Sequence, residues 1–197
     1  MRMIHRRRDL RQAARQRPRT PYRQGDLDGL CGVYSAVNAV RALCPEIDTD
    51  DTGWLFDHLI QQLPKAGANV TLAVANGIVS GELAHLIDKA VRYMANEHDI
   101  DLSVSRLPKA LRRTADIDGL WAALADAVSP TCVAVIGLSG RYWHWTVAVE
   151  VTPGQLRLFD SDRLGVLRRK RCTVAKAVTR TSIAPSHVFL VTRRDVE

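Results

Sequence analysis

One cysteine in this chain has an unusual address. Cys31 stands in "QGDLDGLCGVYSAVNAV", behind a Gly-rich turn and at the mouth of an apolar helix. A helix that begins near Leu30 puts the Cys31 thiol in its first turn, where unpaired N–H groups and the positive end of the dipole gather. That environment favours the thiolate, which is the nucleophilic form. Gly29 suits a tight turn, and Gly32 is expected to leave room for a substrate backbone beside the sulfur. A thiol nucleophile needs an imidazole within reach and a third group to orient that imidazole. Of six histidines, His144 is the candidate base. It opens the apolar run "HWTVAVEV" between Trp143 and Trp145, which are expected to limit access of water. Asp160 follows sixteen positions later, after a Pro153-Gly154 turn. In an antiparallel hairpin the start of one strand lies beside the end of the next, so His144 and Asp160 should meet. An acid there holds the imidazole tautomer and stabilises the imidazolium. Asp162, in "LFDSD", is the rival acid. Gln24, seven positions before Cys31, can donate an amide N–H to an oxyanion forming beside the sulfur, with the Cys31 backbone N–H as second donor. Tyr34 and Ser35 are further candidates for the cleft wall.

The elements that must position these groups divide along the chain. Helical spacing covers Leu30 to Leu43, stopped by Pro45. Asp50, Asp51 and Thr52 can cap a second helix that carries Trp54, Leu55, Leu59, Ile60 and Leu63. Ser80 precedes a third, with Leu83, Leu86, Ile87, Val91 and Met94 on one face, and Asp118 opens a fourth. From Thr131 onward the pattern changes to short β-branched runs: 131–138, 144–151, 155–160 and 187–193, with a further strand within 167–174. Helices first and strands last predict an α+β domain. His58, His85 and His98 fall on helices and are assigned surface or packing roles.

The order Gln24, Cys31-Gly32, His144 in "WHWTVAVEV" and Asp160 in "LFDSD" resembles the papain-like cysteine peptidase superfamily. Within it, the pattern is most similar to compact bacterial peptidases of the kind that process leaders in bacteriocin ABC transporters. The resemblance implies a helical half packed on an antiparallel sheet, with the cleft between them. It implies Gln24 as oxyanion donor, Cys31 as nucleophile, His144 as general base and Asp160 as orienting acid. It implies cleavage of a peptide, isopeptide or related amide bond. The same residue set also serves glutamine deamidation or transglutaminase-type transfer. A catalytically silent binding module on the same fold is the alternative from another class. The motifs cover about 40 residues. Gln24 lies one residue further from Cys31 than is usual in the superfamily. The 113 positions from Cys31 to His144 include "PKAGANVTLAVANGIVSGEL", which is expected to form a lid or a partner surface.

Composition bounds the rest. The chain has 197 residues, 46% of them hydrophobic, which suits a single domain of ordinary size with its own core. Its net charge of +7 is concentrated at one end. Residues 1–23 carry nine arginines and one acid, whereas the remainder carries 19 basic and 20 acidic groups. The first 23 residues therefore read as an Arg-rich, flexible arm, able to touch nucleic acid or an acidic partner, and 24–197 as the hydrolase domain. A second basic run, Arg168 to Arg171, is expected at a solvated strand edge or turn. The four cysteines show neither CxxC nor zinc-ligand spacing, so reduced thiols are expected. There is no phosphate loop, dinucleotide fingerprint or calcium loop, and no cofactor or metal is expected. No window approaches the ~18 apolar residues of a membrane span, and the N-terminus lacks a signal-peptide core. These features predict a cytoplasmic protein, or one secreted without a Sec signal.

Overall fold

The structure, a computed structural model, describes residues 20–25, 28–114 and 116–194. Most of the Arg-rich arm, residues 1–19, lies outside the described residues, as do Asp26 and Leu27 of the turn before Cys31.

Among the described residues the chain forms six α-helices and seven strands. Helix α1 is Cys31–Leu43, α2 Thr49–Gln62, α3 Val70–Asn76 and α4 Ser80–His98. Strand β1 (Leu102–Arg106), α5 (Lys109–Thr114) and α6 (Ile117–Ala127) follow. The remaining strands are β2 (Cys132–Gly140), β3 (His144–Val151), β4 (Gln155–Leu158), β5 (Val166–Arg168), β6 (Cys172–Thr173) and β7 (Thr181–Arg193). The sheet order is β1-β7-β2-β3-β4-β5, antiparallel throughout, with the two-residue β6 alone running parallel to β7. The mixed α+β class expected from the sequence is present.

Period-2 alternation explains why the strands read as unbroken apolar runs. Odd residues of β2 and β3 (Val133, Val135, Trp145, Val147) join the core under α1, α2 and α4. Even residues (Ala134, Ile136, Leu138, Ala148) join a second core with Leu120, Trp121 and Leu124 of α6. A strand covered on both faces has no polar side to show. The Trp121 indole also donates to the Thr152 carbonyl at 2.8 Å, which pins α6 to the β3–β4 turn.

Two helix starts differ from expectation. The second helix is capped by Asp48, whose Oδ1 accepts from the Asp51 N–H at 2.9 Å while Asp51 returns a bond to the Asp48 N–H, a reciprocal capping box. The fourth expected helix is capped by Asp116, which accepts from the Gly119 N–H, rather than by Asp118. Beyond expectation are α3, α5, β1 and the length of β7. An ion pair of Arg193 with Glu46 (2.7 Å), backed by a bond to the Leu43 carbonyl, ties the C-terminal end of α1 to β7. No single described helix is long and apolar enough to cross a membrane. The pair α3 and α4 passes only together, across a 106° bend, and α4 buries Leu83, Leu86, Ile87 and Met94 in the core.

Candidate active site

Cys31 is the first residue of α1. The turn before it is built by one carboxylate. Asp28 accepts from the Leu30 N–H (3.1 Å) and from the Gly25 N–H (2.8 Å). This local bonding breaks the extended arm and starts the helix, as Asx turns do. Among the described residues the helix end carries no side-chain cap and no acid in its first turn, so no described side chain satisfies its N–H groups beside the thiol. Cys31 itself is 7% exposed.

The glycines around it act through close packing. A Cβ on Gly29 would lie 2.6 Å from the Gly77 backbone nitrogen, and the Gly29 N–H donates to the Val74 carbonyl. The Cys31 turn is thus sealed backbone-to-backbone on the end of α3. A Cβ on Gly32 would lie 2.6 Å from the Ile78 side chain and 3.3 Å from Trp145. The expectation that Gly32 makes room for substrate is therefore corrected: Ile78 and Trp145 occupy that space. The segment expected to be a lid or partner surface supplies these contacts, and its Ile78 carbonyl accepts from the Trp145 indole N–H at 2.9 Å. Gly29→Ala is expected to cost about 1–3 kcal/mol, because backbone rather than a side-chain tip must move; chemical denaturation measures it, and an unchanged midpoint would remove this contact from the account.

His144 opens β3, opposite Leu138 of β2, and Asp160 lies two residues beyond β4. The β3–β4 pairing carries them together: His144 Nε2 is 2.7 Å from Asp160 Oδ2. Their side chains are 9% and 2% exposed. The other carboxylate oxygen, Oδ1, accepts from the Asp162 and Leu164 N–H groups, both at 2.8 Å. The choice of acid is therefore Asp160. Asp162 is exposed and contributes its backbone N–H to hold Asp160 in place.

With Nε2 taken by Asp160, Nδ1 is the ring nitrogen left for Cys31. The pKa of His144 follows from this arrangement. Burial alone depresses it, but hydrogen bonds to Asp160 and Cys31, with their charges, override burial and push it up to about 9. Burial raises the Asp160 carboxyl, but the His144 bond and charge outweigh this and hold it below the usual value, helped by the Leu164 N–H. The buried Thr146 hydroxyl lies close enough to add to that effect, although it falls short of hydrogen-bond geometry. The arrangement favours a charged imidazolium beside an ionised Asp160 at neutral pH.

Gln24 is positioned from the Asp160 side. Its N–H donates to the Ser161 carbonyl and its side-chain oxygen accepts from the Ser161 hydroxyl, both at 3.2 Å. Its amide nitrogen donates to the Asp28 carbonyl at 3.3 Å and has one further hydrogen with no partner among the described residues. The arm's last residues dock on α1: Asn38 clamps the Tyr22 backbone through both amide atoms, and Arg41 lies over the Tyr22 ring.

Other expectations divide. Trp145 is buried, whereas Trp143 is 87% exposed and does not shield His144 from water. Ser35 is buried one turn below Cys31, whereas Tyr34 is half-buried with its ring packed on Phe56. His58 and His98 pack on Tyr93. Cys44, Cys132 and Cys172 are buried and form no disulfide among the described residues. Burial pushes the Cys132 thiol up, and the Cys172 thiol up to about 11 despite nearby Arg180. The signal for Asp28 was its place before Gly29 in an Asx-type turn; Ser161 and Thr146 carry no local signal of their own. No protein-family model matches the chain, and no curated protein matches it.

Proposed function

We propose that this protein is a cysteine-dependent hydrolase of papain-like type, acting on a peptide, isopeptide or related amide bond. The observation that carries the proposal is the convergence of Cys31, His144 and Asp160, drawn from a helix start, a strand start and a strand end. The Cys31 thiolate attacks the acyl carbon, and the tetrahedral oxyanion takes bonds from the Cys31 N–H and the second Gln24 amide hydrogen. The His144 imidazolium gives its Nδ1 proton to the leaving amine, which departs and leaves a thioester. Neutral His144 then takes a proton from water, whose oxygen attacks the thioester; the acid product leaves and the thiolate–imidazolium pair returns. Asp160 stays ionised throughout and holds the Nε2–H bond. Exposed Val79 and Trp143, next in sequence to Ile78 and His144, suit an extended substrate with apolar side chains.

Thiol alkylation followed by peptide mass spectrometry tests the proposal. A thiol with a pKa near 11, as at Cys172, is ionised in only about one molecule in ten thousand at pH 7. Cys31 is expected to react with iodoacetamide at least ~100-fold faster than Cys44, Cys132 or Cys172. An electrophilic peptide probe should label wild type and not Cys31→Ala. Equal alkylation of all four thiols would leave only a silent binding module on this fold.

A further inference from the structure

At the opposite end of β3 from His144, roughly 25 Å along the strand, a concavity of about 630 Å³ opens on the surface. Its floor is the 152–155 turn and the start of α6, and its wall carries Arg168, Arg169, Lys170 and Arg180. Arg168, Arg169 and Lys170 belong to the second basic run, gathered by the short 3₁₀ turn Arg169–Arg171 at the end of the edge strand β5, and Arg180 joins them from the residue before β7. One acid faces them: Asp118, which is paired with Arg169. Arg169 is also anchored on the Pro153 carbonyl. Arg180 donates to the Lys170 and Cys172 carbonyls, which fixes its guanidinium in place. Arg168 and Lys170 are exposed, and their side chains have no partner among the described residues. After the Asp118 pair is counted, three cationic side chains remain uncompensated in one hollow, on a body whose residues 24–197 are net −1.

We propose that this hollow binds a compact anion bearing two or more phosphate groups. The reasoning is one of shape and fork geometry. A volume of this size lies in the range of small-molecule sites. Guanidinium forks match phosphate oxygens in pairs, and a pre-anchored fork loses less freedom on binding. The cations ring a concavity, whereas a site for a long nucleic acid or an acidic tail spreads its charge along a groove or stripe. The site is independent of the thiol chemistry proposed above.

The test uses the full chain and inorganic tripolyphosphate as probe, by calorimetry at 0.15 M salt, where exposed charges are screened beyond ~8 Å. Saturable binding at one site is expected. Arg168→Ala with Lys170→Ala should weaken it about tenfold or more; neither side chain supports the fold. Arg6→Ala with Arg7→Ala and Arg8→Ala, a control for the arm, should change it less than threefold. Hydrogen exchange should slow across 152–155 and 168–171 when the probe is bound. ATP in place of tripolyphosphate asks whether a nucleoside adds affinity, and equal or tighter binding of either supports the site. Absence of saturable binding, retained affinity in the Arg168/Lys170 variant, or a larger loss in the arm variant would overturn it. So would tight binding of an oligonucleotide or an octaglutamate peptide at residues 168–171 by a protein that ignores tripolyphosphate.

Discussion

Cys31→Ala is expected to lower turnover of any amide substrate by about 10⁴-fold or more, since groups that act as a unit in nucleophilic catalysis lose nearly everything when the nucleophile goes. The physical basis is that the rest of the site has no second nucleophile. Among the described residues the remaining thiols are buried, and Cys132 and Cys172 have raised pKa values. The loss should not come from unfolding. Cys31 sits at a helix end and has a small side chain, so its truncation removes little buried surface, about 1 kcal/mol or less. Three readouts separate the cases: kcat on a fluorogenic peptide library, the unfolding midpoint, and the titration of His144 by NMR. The last has a definite sign. Cys31 is one of the groups that raise the His144 pKa, so its removal should bring that value down from about 9. Retained turnover in a folded Cys31→Ala protein would remove the proposed nucleophile; an unmoved His144 pKa would show that the two side chains do not interact.

Cys31, His144 and Asp160 were legible in the sequence because each owes its place to a short-range rule. A Gly-rich turn before an apolar run starts a helix, and a Pro-Gly turn between two alternating runs makes a hairpin that aligns start with end. What remained hidden depends on packing between distant segments or on choices among equivalent residues. "DTDD" holds three acids able to cap one helix, and only the reciprocal bond between Asp48 and Asp51 selects the first. Asp160 and Asp162 differ by which one faces His144 and which one turns its backbone inward. β1, "LSVSR", alternates small polar residues and gains its place only by pairing with the distant β7. Gly32 looked like space for a ligand; Ile78, over 40 positions away, fills it.

Asp160→Asn tests the orientation of the imidazole more sharply than deletion would. The two backbone N–H groups of Asp162 and Leu164 fix one oxygen of the side chain, so an asparagine must place its carbonyl there. Its NH₂ group then faces His144 Nε2 and donates to it. Nε2 becomes the acceptor, the ring proton moves to Nδ1, and the nitrogen facing Cys31 is no longer free to take a proton. The tautomer is reversed while the shape is nearly kept. A loss in kcat of about 10³–10⁴ is expected from a misassigned tautomer, with a much smaller change in KM. The same change should alter stability with pH. In the wild type the His144 pKa is raised, so the protonated ring contributes stability that is fully present below its unfolded value near 6.5 and is lost as pH rises through about 9. Asp160 is shifted the other way; its contribution is present above the unfolded value and is lost as pH falls through the lowered one. Asparagine removes the Asp160 contribution outright and reduces that of His144, because it takes away the carboxyl that titrates and the negative charge that favours the imidazolium. The denaturation midpoint of Asp160→Asn should therefore flatten between pH 6 and 9, where the wild type declines. A variant with full kcat, or with the wild-type decline intact, would mean that the 2.7 Å contact between His144 and Asp160 does not govern the ring.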